Sequence, residues 1–142
     1  MKQQTITIYE AAMQGASQLA ELLESGCDIN DGNDGSGTAL MSAALEGQAD
    51  VVKLLLASGA NPNIQNTLGF SALMFAVLHG STDVIELILA RDTDLNLKES
   101  NGDTALMFAS REGHADVVKL LLANQADPNI QDNTNMTALM IA

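Results

Sequence analysis

One four-residue pattern recurs along this chain at a constant step. Thr38, Ser71, Thr104 and Thr137 are each followed by Ala-Leu-Met, and successive copies stand 33 residues apart. Asp50, Asp83 and Asp116 keep that step, as do Gly47, Gly80 and Gly113. Asn30, Asn63, Asn96 and Asn129 form a four-member ladder, and Pro62 and Pro128 are two periods apart. A period of this length marks one supersecondary unit built several times in a row. The fold must therefore let like units meet at like faces.

Each period reads as two short helices and a turn. In the third copy Thr104 is placed to cap a first helix whose apolar residues, Ala105 to Ala109, fall at helical spacing. Gly113 suits the end of that helix, because glycine enters the left-handed region without strain. Asp116 then stands near the start of a second helix, where the helix dipole favours a negative charge. Val117, Val118, Leu120, Leu121 and Leu122 make its expected buried side, with Lys119 turned to water. The polar Asn/Asp/Gly-rich stretch that follows suits an extended segment and a tight reversal. A pair this short cannot enclose its own apolar face and must stack on a neighbour, which predicts an elongated solenoid. Four aromatics and no Trp leave Leu, Ala, Val, Ile and Met to build the core of such thin layers.

The run Gly-x-Thr-Ala-Leu-Met-x-Ala, then Gly-His-Ala-Asp-Val-Val-Lys-Leu-Leu-Leu-Ala and Ala-Asp-Pro-Asn, resembles the ankyrin repeat over nearly the whole chain. The resemblance implies an α-solenoid of stacked helix-turn-helix pairs with projecting β-hairpin tips. It implies a degenerate N-terminal capping repeat at 3–32, full repeats at 33–65, 66–98 and 99–131, and a partial fourth at 132–142. In the cap, Ile6, Ile8, Ala11 and Ala12 stand for the first helix, and Leu19, Leu22 and Leu23 for the second. The Ala-Leu-Met variant and the high Asn content are similar in style to microbial members. Where the family has Thr-Pro-Leu-His, this chain has Met41, Met74, Met107 and Met140, which are expected to form a pliable apolar ladder between units. The glycine expected after the second helix is Gly59 once, then Asp92 and Gln125, so those two residues are candidates for strained positive φ.

Catalytic and metal chemistry finds little support. His79 and His114 occupy different positions in the period, and Cys27 has no second Cys for a disulfide or a zinc site. The stretch from Asp31 to Gly37 is like a calcium loop at first sight. It has Ser36 where an EF-hand needs Gly, and no Glu at the twelfth position. The Asp50, Asp83 and Asp116 ladder reads as helix-terminus electrostatics, and Lys53, Glu86 and Lys119 as an exposed row able to pair between neighbours. No Gly-rich phosphate motif leads into a helix. Eighteen acidic against six basic residues, a net charge of −12, argue against nucleic acid and anionic membrane as partners. The longest apolar run, Ala72 to Leu78, is too short to span a bilayer, and no signal peptide is seen, so a cytoplasmic location is expected. We expect no enzyme activity, no cofactor and no metal.

The resemblance implies a partner surface on the concave side, at the tips and the inner ends of the first helices. Carried over by position, it comprises Asp34, Leu45 and Glu46 in the first repeat and Thr67, Leu68, Phe70, Leu78 and His79 in the second. The third gives Ser100, Asn101, Asp103, Arg111 and Glu112, with Lys98 between repeats. Leu68, Phe70 and Leu78 are unusually apolar for exposed positions and suit the centre of an interaction hot spot. The leading expectation is a non-catalytic protein–protein interaction module. The alternative is a structural or self-assembling element that uses an uncapped C-terminal edge at Leu139, Met140 and Ile141, unless the chain is part of a longer array.

Overall fold

A computed structural model describes residues 7–32, 35 and 37–141, apart from the Tyr9 side chain. Ile6, Asp34 and Ser36 lie outside the described residues. The described elements are helices in pairs: α1 (Ile8–Gln14) with α2 (Ala16–Glu24), α3 (Ala39–Leu45) with α4 (Ala49–Ala57), α5 (Ala72–His79) with α6 (Thr82–Leu89), α7 (Ala105–Arg111) with α8 (Ala115–Ala123), and then α9 (Ala138–Ile141). The first helices touch in the order α1, α3, α5, α7, α9, and α2, α4 and α6 line up beside them. The chain is thus a helical repeat solenoid in which each unit is held mainly by its neighbours.

The recurring tetrapeptide explains the first helices. Thr38, Ser71 and Thr104 are extended, and their hydroxyls accept the N–H groups of Met41, Met74 and Met107 at 3.3, 3.3 and 3.4 Å. Each cap satisfies one of the donors a helix start leaves open, worth about 1 kcal/mol. The next three residues are buried at every one of these starts. Met41, Met74 and Met107 are 3%, 1% and 1% exposed, whereas Met140 is 59% exposed, so the expected apolar ladder has three buried rungs. A truncation such as Leu73→Ala would cost about 2–5 kcal/mol, because the layers cannot close over the cavity.

The second helices differ from expectation in two places. Leu122 is 44% exposed and Val118 is half-buried, although the equivalent Leu56 and Val52 are 4% and 0% exposed; Leu120 is half-buried as are its equivalents Leu54 and Leu87. α4 lies between α2 and α6, while no second helix follows α8 among the described residues. Lys53, Glu86 and Lys119 are exposed and form no ion pair with one another; the ion pair among the described residues is Arg111–Asp103. Of the two candidates for positive φ, Gln125 has it (71°) and Asp92 does not. Gln125 lets the Ala126 N–H reach Leu121 O at 3.0 Å, as Gly59 lets Ala60 reach Leu55. At the equivalent carbonyl of Ile88 the hydroxyl of Thr93 donates instead, at 2.7 Å, so Asp92 need not turn over.

Polar side chains set the register between units. Asn30, Asn63 and Asn96 accept through Oδ1 the backbone N–H of Asn61, Asp94 and Asp127 in the following unit, at 2.8, 2.7 and 2.9 Å. Their own N–H groups donate to the side chains of Asp28, Asn61 and Asp94, each at 2.9 Å. A reversal precedes each of α5, α7 and α9, yet no strand occurs among the described residues; the antiparallel bridge Gly32–Thr38 is isolated. The expected β-hairpins are closed turns instead. Asn66 Oδ1 takes the N–H groups of Leu68 and Phe70, Glu99 Oε1 those of Asn101 and Asp103, and Asp132 Oδ1 those of Thr134 and Met136. These side chains occupy donors that a longer ladder would use, and two backbone bonds close each of these turns, as from Asn66 N–H to Phe70 O and from Gly69 N–H to Asn66 O, each at 2.9 Å. Among the described residues no helix is long and apolar enough to cross a membrane.

Candidate functional site

The turns and the first helices share one face, and the period arranges its residues in rows. Leu45, Leu78 and Arg111 are equivalent, as are Glu46, His79 and Glu112, Gly37, Phe70 and Asp103, and Ser42, Phe75 and Phe108. Backbone bonds hold the turns side by side: Thr67 N–H donates to Gly35 O at 3.1 Å, Ser100 to Leu68 at 2.9 Å and Asn133 to Asn101 at 2.9 Å. Gly69 and Gly102 have φ of 86° and 84°, and a Cβ on either would sit 2.7 Å from Glu99 Cα or 2.8 Å from Asn133 N. Only glycine allows the turns this close. Asn135 (φ 64°) takes the corresponding place in the last turn.

All three phenylalanines of the chain meet on this face. Phe70, from a turn, stacks on Phe75 of α5 with ring centroids 5.2 Å apart, and on Phe108 of α7 at 5.6 Å. Each such pair adds about 0.5–1.5 kcal/mol beyond area burial. The stack therefore ties two units together. Arg111 continues it, with its guanidinium 5.8 Å from the Phe108 centroid and Nη1 donating to Asp103 Oδ2 at 3.0 Å. The hydrogen bond to Asp103 raises the Arg111 pKa above its ordinary value, more than burial lowers it. Asp103 Oδ1 is buried without a hydrogen bond.

Seen against this geometry, the residues singled out from sequence fall into groups. Leu68 is 60% and Leu45 43% exposed, while Phe70 and Leu78 are half-buried. Phe70 is thus a structural ring as well as a surface one. Asp103 is buried, because it is consumed by Arg111. Thr67, Lys98, Ser100 and Asn101 are exposed, yet each bonds a neighbouring unit, Lys98 through Nζ to Gln131 O at 2.8 Å. The ring of His79 lies against Gly47, and that of His114 against Gly80, where an added Cβ would meet Nε2 at 3.2 Å. Both histidines therefore rest on the interhelical glycine of the preceding unit. Glu46 and Glu112 are exposed, and their carboxylates form no hydrogen bond or ion pair among the described residues. Sequence reasoning passed over Phe75 and treated Phe108 as part of a helix core face. Their separation of one period was the available signal.

The described geometry agrees with what comparison finds. A family model described as ankyrin repeats, in three copies, matches residues 8–99 and 73–142. No match was found among the curated proteins.

Proposed function

This chain belongs to the ankyrin-repeat family, and we propose that it is a non-catalytic module that binds a partner protein through the face shared by its turns and first helices. Ankyrin repeats are generally protein–protein interaction modules. The observation that carries the choice of face is the stack of Phe70, Phe75 and Phe108, with Leu68 exposed two residues before Phe70 and Leu45 exposed one period before Leu78. Clustered exposed apolar side chains with a polar rim mark interaction sites. Phe70, Leu78 and Arg111 complete the centre. Glu46, His79 and Glu112 flank it, with Thr67, Lys98, Ser100 and Asn101 along the rim and Asp103 holding Arg111. Asp34 joins the set by its position in the period alone. The unit boundaries that fit this reading are a cap at 3–32, repeats at 33–65, 66–98 and 99–131, and a partial repeat at 132–142.

The test is a matched capture experiment. Leu45→Ser plus Leu68→Ser should abolish retention of a binding protein while leaving the melting midpoint unchanged, because both side chains are exposed. Lys53→Ala plus Lys119→Ala, on the second helices, should leave retention intact. Equal retention by both variants would overturn the choice of face. A second reading rests on Leu139 (82% exposed) and Met140 (59%), whose equivalents Leu40, Leu73, Leu106 and Met41, Met74, Met107 are buried. On that reading the α9 edge takes part in self-association, and solution mass should rise with concentration. A constant monomer mass excludes it.

A further inference from the structure

The charges around the apolar patch are unequal in one specific respect. Both of its cations are held in place by groups of the chain, although Lys98 keeps its charge, while no bond to the carboxylates of Glu46 and Glu112 occurs among the described residues. Lys98 is tied to Gln131 O, and Arg111 to Asp103. Glu46 and Glu112, at equivalent positions two units apart, are exposed, and their carboxylates form no hydrogen bond or ion pair among the described residues. Between them stands His79, with its ring laid on Gly47. The apolar ground formed by Leu45, Leu68 and Leu78 therefore has an unneutralised carboxylate at each end, and the chain around it carries a net charge of −12.

We infer that the partner segment is apolar in the middle and basic at both ends. This rests on the docking face proposed above and adds the chemistry of its occupant. Packed helices lie about 8–10 Å apart, so two steps along the row separate the carboxylates by about 16–20 Å. A helix rises 1.5 Å per residue, so cations on a helical segment would stand about eleven residues apart, three turns. Acidic flanks on the segment would meet Glu46 and Glu112 as like charges and be refused. Selection between otherwise similar apolar segments thus comes from the two ends, and affinity from the middle.

Three fluorescent amphipathic peptides of one apolar face test this, with the two positions eleven residues apart filled by Lys, Ser or Glu. On the intact chain at low salt, affinity should fall in that order, with about tenfold or more between the Lys and Glu peptides, and the gap should shrink in high salt. Glu46→Gln plus Glu112→Gln should reduce that gap to about twofold. If all three peptides bind alike and Leu45→Ser plus Leu68→Ser removes binding, the face stands and the charge inference falls. A Lys preference that survives the Gln variants would trace to overall charge and overturn it too. Failure of every peptide to bind, or binding indifferent to the Leu variants, would sink both the inference and the face.

Discussion

Arg111 on α7 donates to Asp103 in the turn before it, across 3.0 Å, with one partner 44% exposed and the other 9%. The pair clamps the turn to its own helix and places a cation on the edge of the ring stack. Replacing Arg111 with Gln leaves a buried carboxylate without its main partner. The expected loss is about 1–2 kcal/mol, more than an exposed pair is worth because Asp103 is desolvated, and less than a fully buried one because Arg111 meets solvent. Denaturant midpoints of Arg111→Gln, Asp103→Asn and the double variant check it. Losses that simply add would mean that the two residues do not cooperate.

Gln125 is held at φ 71° where a glycine belongs, so Gln125→Gly should stabilise the chain by up to about 1 kcal/mol, or roughly 2–4 °C in melting midpoint. Asp92, one period earlier, should respond in the opposite direction. Its φ is not positive, and glycine there only loosens the unfolded chain. Removing the Thr93 hydroxyl, which takes over the Ile88 carbonyl, should cost about 1 kcal/mol. Thermal melts of the three single variants separate these outcomes.

Gly47 and Gly113 have nearly the same φ, 68° and 71°, but different surroundings. The His79 ring occupies the space of a Cβ at Gly47, and nothing lies within 4 Å at Gly113. Both alanine variants carry the cost of a left-handed residue, about 1–2 kcal/mol. Gly47→Ala should cost about 1 kcal/mol more, the low end for overpacking, because the exposed ring can turn aside. Adding His79→Ala to Gly47→Ala should remove the excess. An excess that persists would place the conflict in the backbone.

Asp132 accepts the backbone N–H of Met136 and also bonds Thr134, and these bonds hold its carboxyl below the usual value of 3.8. A carboxyl whose pKa is lower folded than unfolded contributes stability that is present above its unfolded pKa. That contribution is lost as pH falls through the folded pKa. Asp132→Asn should therefore match the wild type near neutrality, since Asn66 accepts the equivalent N–H groups in the second turn. Below about pH 4 the wild-type midpoint should fall more steeply than that of the variant. Parallel acid profiles would show that the turn does not depend on the charge.

The parts legible in the sequence are those in which one residue type recurs. The Thr/Ser-Ala-Leu-Met caps and the Asn30, Asn63, Asn96 ladder announce themselves by identity, although the ladder's bond across units requires the third dimension. The turn closers did not announce themselves, because Asn66, Glu99 and Asp132 do the same work with different side chains. A search for identical letters passes over such a set. Their demand for local N–H groups is also why closed turns stand where the family resemblance implied β-hairpins. On the candidate face, Leu68 and Leu45 are exposed as the family resemblance implied for their positions, while Phe70 and Leu78, expected with them, are half-buried. Asp103 was not readable as buried, since its burial depends on Arg111 folding back over it. Phe75 and Phe108 were hidden by lying on helices already expected to be apolar.

The polar bonds between units join residues 31 to 33 positions apart, save that Asn63 Nδ2 also donates to Asp92 O, 29 positions on. Excision of residues 66–98 in one piece would let Asn63 receive the N–H of Asp127 in place of Asp94, and Gly35 that of Ser100 in place of Thr67. The joint would close with the same chemistry, with the ring of His114, which now lies on Gly80, meeting Gly47 where His79 lies at present. A gene for such a chain is free to lengthen or shorten by whole modules without inventing a new seam. What such edits would change is the order of side chains along the exposed face.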